Sequence, residues 1–309
     1  MCEPKKTQVS VFHLRNKDVD RSIKVLWNDV ALVYSPNPVY LGVTLDRTPS
    51  YREHIMKTKA KIGTRNNLLN KLVNTKWGAN ATTLRTSALS LCYSVAEYAC
   101  VVWERSAHAY KINPALNNAC RRITGCLKPT DVNSLHILAG IAPPEIRRAV
   151  ASRVERSKQT SDPRHLLYGR QKPVSRLKSR HSFLSDVLPL QQSAELTRLE
   201  QWRVKMSHID KEKIPCEISE SLPSGHMSDR ESWITLNRLR VGVGKRKVER
   251  RRWGFLEEGT NILCECGEDD ESIKHLLQCR LSGGLISKSD LASYNEKARL
   301  CVQKWKGVV

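Results

Sequence analysis

Long apolar runs are missing from these 309 residues. No stretch approaches the roughly 18 apolar residues of a membrane helix, and no apolar segment follows Met1-Cys2-Glu3-Pro4-Lys5-Lys6 as a secretory leader requires. An intracellular protein is expected, with no membrane partner and with nuclear residence open. Negative charge is scarce as well: 31 Asp and Glu stand against 52 Lys and Arg, a net of +21. That imbalance is typical of a nucleic-acid binder or, less often, of a membrane-surface protein, and nucleic acid is the expected partner. Hydrolase signatures are absent: there is no G-x-S-x-G and no H-E-x-x-H, and Gly242-Val243-Gly244-Lys245 lacks both the spacing and the preceding strand of a phosphate-binding loop. No small-molecule substrate is expected.

Cysteine is not scarce. Ten cysteines in a reducing compartment are buried apolar residues or metal ligands rather than disulfides, and their spacing has to decide which. With 40% hydrophobic residues, the chain is long enough for about two cored domains.

The chain changes character at Pro38-Val39-Tyr40-Leu41-Gly42-Val43-Thr44-Leu45-Asp46. Apolar and polar residues alternate there as in a strand, and Gly42 suggests a bulge or a close backbone approach. Before it, β-like runs cover Gln8 to Leu14, Ile23 to Trp27 and Ala31 to Tyr34, with Asn28-Asp29 suited to a hairpin turn. After it the apolar period becomes helical, and residues 51–130 carry 13 basic against 3 acidic side chains. Ile55, Ile62, Leu69 and Val73 mark one basic amphipathic helix, whose Lys57, Lys59, Lys61 and Arg65 are candidate backbone contacts. Ala81, Leu84, Ala88, Leu91, Val95, Ala99 and Val102 predict a long core helix capped by Asn80. Leu116, Cys120, Ile123 and Leu127 predict another, Asp131 to Gly140 a short one, and Pro143-Pro144 opens one carrying Ile146, Val150 and Val154.

Four segments are expected: residues 1–50, a helical unit at 51–158, a basic linker at 159–182, and a second helical region at 183–309. In the last, Leu196, Leu199, Trp202 and Met206 predict one helix, and Trp233, Leu236 and Leu239 another that ends at Gly242. Lys245-Arg246-Lys247-Val248-Glu249-Arg250-Arg251-Arg252 holds six cations in eight residues, a phosphate contact or a nuclear-import address alike.

The sharpest local pattern is Cys264-x-Cys266-x8-His275-x3-Cys279, with Gly267 to turn the chain between the first pair and the rest. Four soft ligands at this spacing suit one structural, tetrahedral Zn2+, although C-x-C is tighter than the usual C-x2-C and two unrelated cysteine pairs are the alternative. The following Glu268-Asp269-Asp270-Glu271 is expected to be solvated.

These parts in this order resemble the C-terminal half of the reverse transcriptase (RNA-directed DNA polymerase) of jockey-like non-LTR retrotransposons. The resemblance is carried by residues 38–48, Arg65-Asn66-Asn67-Leu68-Leu69, Thr86-Ser87-Ala88-Leu89, Ala96-Glu97-Tyr98-Ala99-Cys100-Val101-Val102-Trp103, Arg122-Ile123-Thr124-Gly125-Cys126-Leu127, Leu138-Ala139-Gly140-Ile141-Ala142-Pro143-Pro144, Leu236-Asn237-Arg238-Leu239-Arg240 and the Cys/His motif. It implies an α+β, mainly α fold: a small antiparallel sheet remnant of a palm, a helical thumb bundle, and a C-terminal helical region with a zinc-knuckle-like motif. Tyr40, Leu41 and Gly42 would form the primer grip, and Lys6-Thr7 resembles the palm-loop pair near the incoming nucleotide. The implied partner is an RNA-DNA hybrid or RNA. The family's aromatic-x-Asp-Asp turn, which holds catalytic Mg2+, is missing, so the chain is expected to bind nucleic acid as a truncated fragment without catalytic residues and without that Mg2+. The alternative is a non-enzymatic host RNA- or DNA-binding adaptor with a structural zinc.

Overall fold

Strand-forming residues at the start of the chain pair in twos. The computed structural model describes residues 3, 6–74, 78–170, 187–210 and 213–309, so residues 171–182 of the expected basic linker lie outside the described residues. β1 (Gln8–Val9) lies parallel to β4 (Val33–Tyr34), while β2 (Leu26–Trp27) turns back antiparallel on β3 (Val30–Ala31) through Asn28 and Asp29, both at positive φ. That hairpin is the predicted one. The expected antiparallel sheet is replaced by separate two-stranded pairs, one of them parallel. Two-residue strands present too few ladder groups to recruit a third strand, and Phe12, Leu26, Trp27 and Val30 stay exposed.

The Pro38–Asp46 stretch is also a hairpin rather than one continuous strand. β5 (Val39–Tyr40) pairs with β6 (Val43–Thr44), and the turn consists of Leu41 at φ +45° and Gly42 at φ +78°. Both central residues of a primed two-residue turn need positive φ, which glycine adopts freely and leucine only with strain. Apolar alternation hides this, because Leu41 keeps the strand pattern while its backbone has already turned.

Helices make the rest. α1 (Arg52–Leu72) buries Ile55, Ile62 and Leu69 as its periodicity predicts. Asn80 caps α2 (Ala81–Ala88) by accepting from the Thr83 N–H at 2.8 Å. The long core helix expected to follow is interrupted twice. Leu89–Tyr93 forms a π turn before α3 (Ser94–Glu97), and Ala99 at φ +49° separates α3 from α4 (Cys100–Trp103). The extra residue of a π turn rotates everything after it. Cys92, Tyr93, Ala96, Cys100 and Trp103 therefore enter the core, while Leu91, Val95 and Ala99 are half-buried and Val102 is exposed.

α5 (Asn113–Thr124), α6 (Val132–Ala139), α7 (Pro144–Ser161) and α8 (Ala194–Met206) complete a first core that includes Leu116, Ile123, Leu138, Val150 and Trp202. A half-buried ion network lies beside it. Arg147 grips Glu97 at 2.5 and 3.0 Å, Arg198 grips Glu220 at 2.7 Å, and Arg85 donates to the Gly140 and Glu220 carbonyls.

α9 (Arg230–Val241) roofs a second core; α10 (Lys247–Arg252), with no buried residue, lies outside it, and α11 (Ile273–Leu276), α12 (Lys288–Ser293) and α13 (Glu296–Trp305) complete it. Trp233, Leu236, Leu239, Ile273, Leu276, Cys301 and Trp305 are buried together there. Among the described residues, no helix is long and apolar enough to cross a membrane.

Two glycines test this packing in opposite directions. Gly125 ends α5 at φ +72°, and an added Cβ would meet Ile234 Cγ1 at 2.3 Å. Gly125→Ala should destabilise the chain by about 2–4 kcal/mol, from overpacking plus the positive φ. Gly63, within α1, has no atom within 4 Å of that position, so Gly63→Ala should stabilise by about 0.5–1 kcal/mol. Urea unfolding of both variants would check the pair.

Candidate nucleic-acid groove and metal centre

α1 delivers its cations unequally. Lys57, Lys61 and Arg65 follow one another at intervals of four and are exposed along a single ridge, whereas Lys59 is half-buried on another side. The ridge borders a groove of about 630 Å³ lined by Gly42, His54, Thr58, Lys61, Arg65 and Tyr98 among others. The β5–β6 hairpin closes one side. Tyr98 donates its hydroxyl proton to the Leu41 carbonyl at 2.8 Å, and Tyr98 Cε1 would lie 3.1 Å from a Cβ on Gly42. Gly42 thus supplies both the turn and the clearance that lets the hairpin tip rest on Tyr98.

The hairpin is pinned to α1 at its base. Thr44 N–H donates to His54 Nδ1 at 3.3 Å, and Lys57 Nζ reaches Thr44 Oγ1 at 3.4 Å. Burial, with Lys61 and Lys57 nearby, pushes the His54 imidazole below its ordinary range and keeps it neutral. Asp46 is consumed by the loop that follows: it accepts from the Thr48, Ser50 and Arg52 N–H groups at 3.2, 2.7 and 3.1 Å. Burial opposes its ionisation, but these bonds, led by that from Ser50, hold the carboxyl below its usual value.

Of the residues singled out in the sequence, Gly42, Lys61 and Arg65 line the groove, whereas Lys57, one turn before Lys61, is not a lining residue and reaches Thr44 at the base of the hairpin. Tyr40 and Leu41 project from the hairpin, 68% and 74% exposed. Lys6 pairs with Glu3 at 2.8 Å on the exposed N-terminal segment and is not a lining residue. His54 and Thr58 were legible as the continuation of the Lys61–Arg65 stripe by helical spacing. Tyr98 was not, because its place depends on the π turn and on the break at Ala99.

The second site is the Cys/His cluster. Backbone bonds from Cys264 N to Asp269 O and from Glu271 N to Ile262 O, 2.9 and 2.8 Å, fold residues 262–271 into a tight hairpin whose turn contains Gly267 at φ +79°. Ser272 caps α11 by accepting from the His275 N–H. The helix ends at Leu276, so Cys279 returns to the cluster by the turn after it rather than along one helical face. All four side chains are buried, and their ligand atoms lie within 4.8 Å of one another. Cys264 Sγ and Cys279 Sγ are 3.9 Å apart, and Cys266 Sγ and His275 Nε2 are 3.1 Å apart. A tetrahedral ion with bonds of about 2.0–2.3 Å needs edges of roughly 3.3–3.8 Å; separations of 3.9 and 3.1 Å lie just outside either end of that range, and the four donors could hold a metal such as zinc with small side-chain shifts.

Neighbouring groups act on these ligands in opposite senses, and burial with the adjacent thiols pushes Cys279 up to about 11. Burial disfavours the Cys266 thiolate, yet the Glu268 N–H at 3.4 Å together with His275 and the other two thiols outweighs it and holds the group down to about 7. Asp269 lies 3.9 Å from His275 Nδ1, the position from which a carboxylate orients a ligating imidazole. Glu271, expected in solvent with its acidic neighbours, is instead buried and pairs with Arg246 at 2.5 Å. Arg246 also lies over the Trp305 ring at 5.0 Å. Among the described residues, this cluster is the one group of three or more His, Cys, Asp or Glu placed to share an ion.

No family model, curated protein or solved structure matches the chain.

Metal analysis of the full chain is expected to return one tightly held ion per molecule. Cys266→Ser combined with Cys279→Ser removes two of the four ligands and should abolish it, and a stoichiometric ion surviving in that variant would refute the assignment.

Proposed function

We propose that this chain binds the backbone of a nucleic-acid duplex in the groove between the β5–β6 hairpin and α1, as the thumb and palm edge of a retrotransposon reverse transcriptase. The observation that carries the reading is the convergence on one groove of the hairpin glycine Gly42 with Lys61 and Arg65, two cations with no acidic partner among the described residues. Gly42 lets the hairpin rest on Tyr98 and so forms the wall, and the cations supply the sequence-independent attraction that phosphates need. A clamp of this kind reads the shape of an RNA-DNA hybrid rather than its bases.

The Cys/His cluster is the structural counterpart. Its ion is zinc: three thiolates and one imidazole form a closed set with no open position for water or substrate. Asp46, after the hairpin, is saturated by its own loop, and Glu97, next to Tyr98, is held by Arg147, so neither carboxylate is free for chemistry in the groove. That same observation favours the second reading, a non-enzymatic nucleic-acid-binding adaptor. The two differ in preference, since the polymerase remnant should favour hybrid duplex and an adaptor need not.

Binding of a labelled RNA-DNA hybrid as a function of salt tests the groove. Changing Lys57, Lys61 and Arg65 to Gln should reduce the magnitude of the log K against log salt slope by about 0.9 for each phosphate no longer neutralised. Lys59→Gln, on the other side of the helix, should leave the slope nearly unchanged, and equal effects from both variants would overturn the groove. On a primed template with magnesium or manganese, the chain should incorporate no nucleotide; extension by the pure protein would sink that expectation.

A further inference from the structure

The basic run at 245–252 is not one feature but two. Arg246 is 1% exposed, fixed between Glu271 and Trp305, and Lys247 Nζ donates to the Leu263 carbonyl at 2.9 Å and lies 3.4 Å from Glu271. Val248 N–H donates to the Glu271 carbonyl. These three residues bolt α10 to the Cys/His hairpin. Arg250, Arg251 and Arg252 are exposed and fan around the solvent side of the same helix, with no ion pair to any described residue.

The end of α10 adds aromatic surface beside them. Trp253, Gly254 and Phe255 donate their N–H groups back to the carbonyls of Glu249, Arg251 and Arg250 at 2.9, 3.0 and 2.8 Å, and Gly254 takes φ +74°. This glycine-terminated cap reverses the chain and holds Phe255 against the helix end. Phe255 is nonetheless 69% exposed, and its ring meets that of Trp253 edge-on at 6.4 Å. Phe255 therefore presents its ring to solvent at the end of the helix that carries these three arginines.

We propose that Arg250, Arg251, Arg252 and Phe255 form a second nucleic-acid site that takes a single strand, the arginines holding phosphates and the exposed ring stacking on a base. The combination of a cationic track with an accessible π face is what unpaired strands require, and a duplex offers no free base to stack. Reading the run as an extended address peptide fits the structure less well. The segment is folded, and extending it would break the buried Arg246–Glu271 pair and pull Val248 from the hairpin. The site is separate from the α1 groove and does not rest on it.

The test uses the intact, metal-loaded chain and a fluorescent, unstructured oligo-uridine, with anisotropy measured over a salt series. Arg250→Gln, Arg251→Gln and Arg252→Gln together should weaken binding at least ten-fold and reduce the slope by about 0.7 for each phosphate released from an arginine. The triple Lys variant keeps the charge and should restore most of that slope. Phe255→Ala should weaken binding by about five-fold or more, the low end for one stacked base, without changing the slope. All four residues are exposed, so unaltered circular dichroism is expected in each variant. Wild-type affinity and slope in the Gln variant would overturn the proposal and leave the patch to an acidic protein groove. Loss of oligo-uridine binding in the Lys57, Lys61 and Arg65 variant but not in the arginine variant would overturn it too, by assigning single strands to the groove.

Discussion

The end of α5 holds this molecule together. Its last carbonyls have no partner within the helix, and α9 satisfies them one after another. Arg230 donates to Arg122 O and Ile123 O at 2.5 and 2.6 Å, Trp233 Nε1 to Ile123 O at 3.0 Å, Asn237 to Thr124 O at 3.0 Å, and Arg238 Nε to Gly125 O at 3.0 Å. The donors sit on one face of α9, and its other face, with Leu236 and Leu239, covers the second core. The Cys/His hairpin packs beneath that roof, with α10 tied to it through Lys247 and Val248. The end of α5, together with Ala81 of α2 and Leu222 between the cores, sets their position relative to the first core.

How much of this was legible in the sequence depended on the range of the cause. Local causes were readable: Asn80, Asp131 and Asp229 stand before their helices, Gly140 and Gly242 after theirs, and each does what its chemistry dictates. The Cys/His spacing was readable too, and the fold brings its four ligand atoms within 4.8 Å of one another. The readings that failed depended on backbone conformations that residue type does not announce. Leu41 and Ala99 adopt positive φ, which neither residue favours, and the π turn at Leu89–Tyr93 leaves no mark in the apolar pattern. The Arg246–Glu271 pair was hidden for another reason. Each partner lies within a run of like charge, and only the fold withdraws one residue from each run and buries the two together.

The groove belongs to the features that needed the structure. Helical spacing supplies the ridge of α1, but its opposite wall arises because the chain breaks at Ala99 and turns at Leu41 and Gly42, letting Tyr98 meet the hairpin. Three departures from regular geometry therefore meet at one place. Departures of this kind cost free energy and tend to persist where a site needs them, which gives the groove a claim independent of its charge.

The contact between α5 and α9 differs in kind from those that would hold nucleic acid. It sets guanidinium, indole and amide donors against neutral carbonyl oxygens, an ion–dipole arrangement that is largely out of water. Burial lowers the Arg230 guanidinium to about 10, so below that pH its charge is constant and adds no pH dependence. With no mobile counter-charge to exchange and little solvent between the partners, added salt has small leverage on it. Phosphate contacts on exposed lysines and arginines give way to salt by mass action. A high-salt wash should therefore strip bound nucleic acid while the two cores stay joined, so ionic strength acts on occupancy and leaves architecture alone.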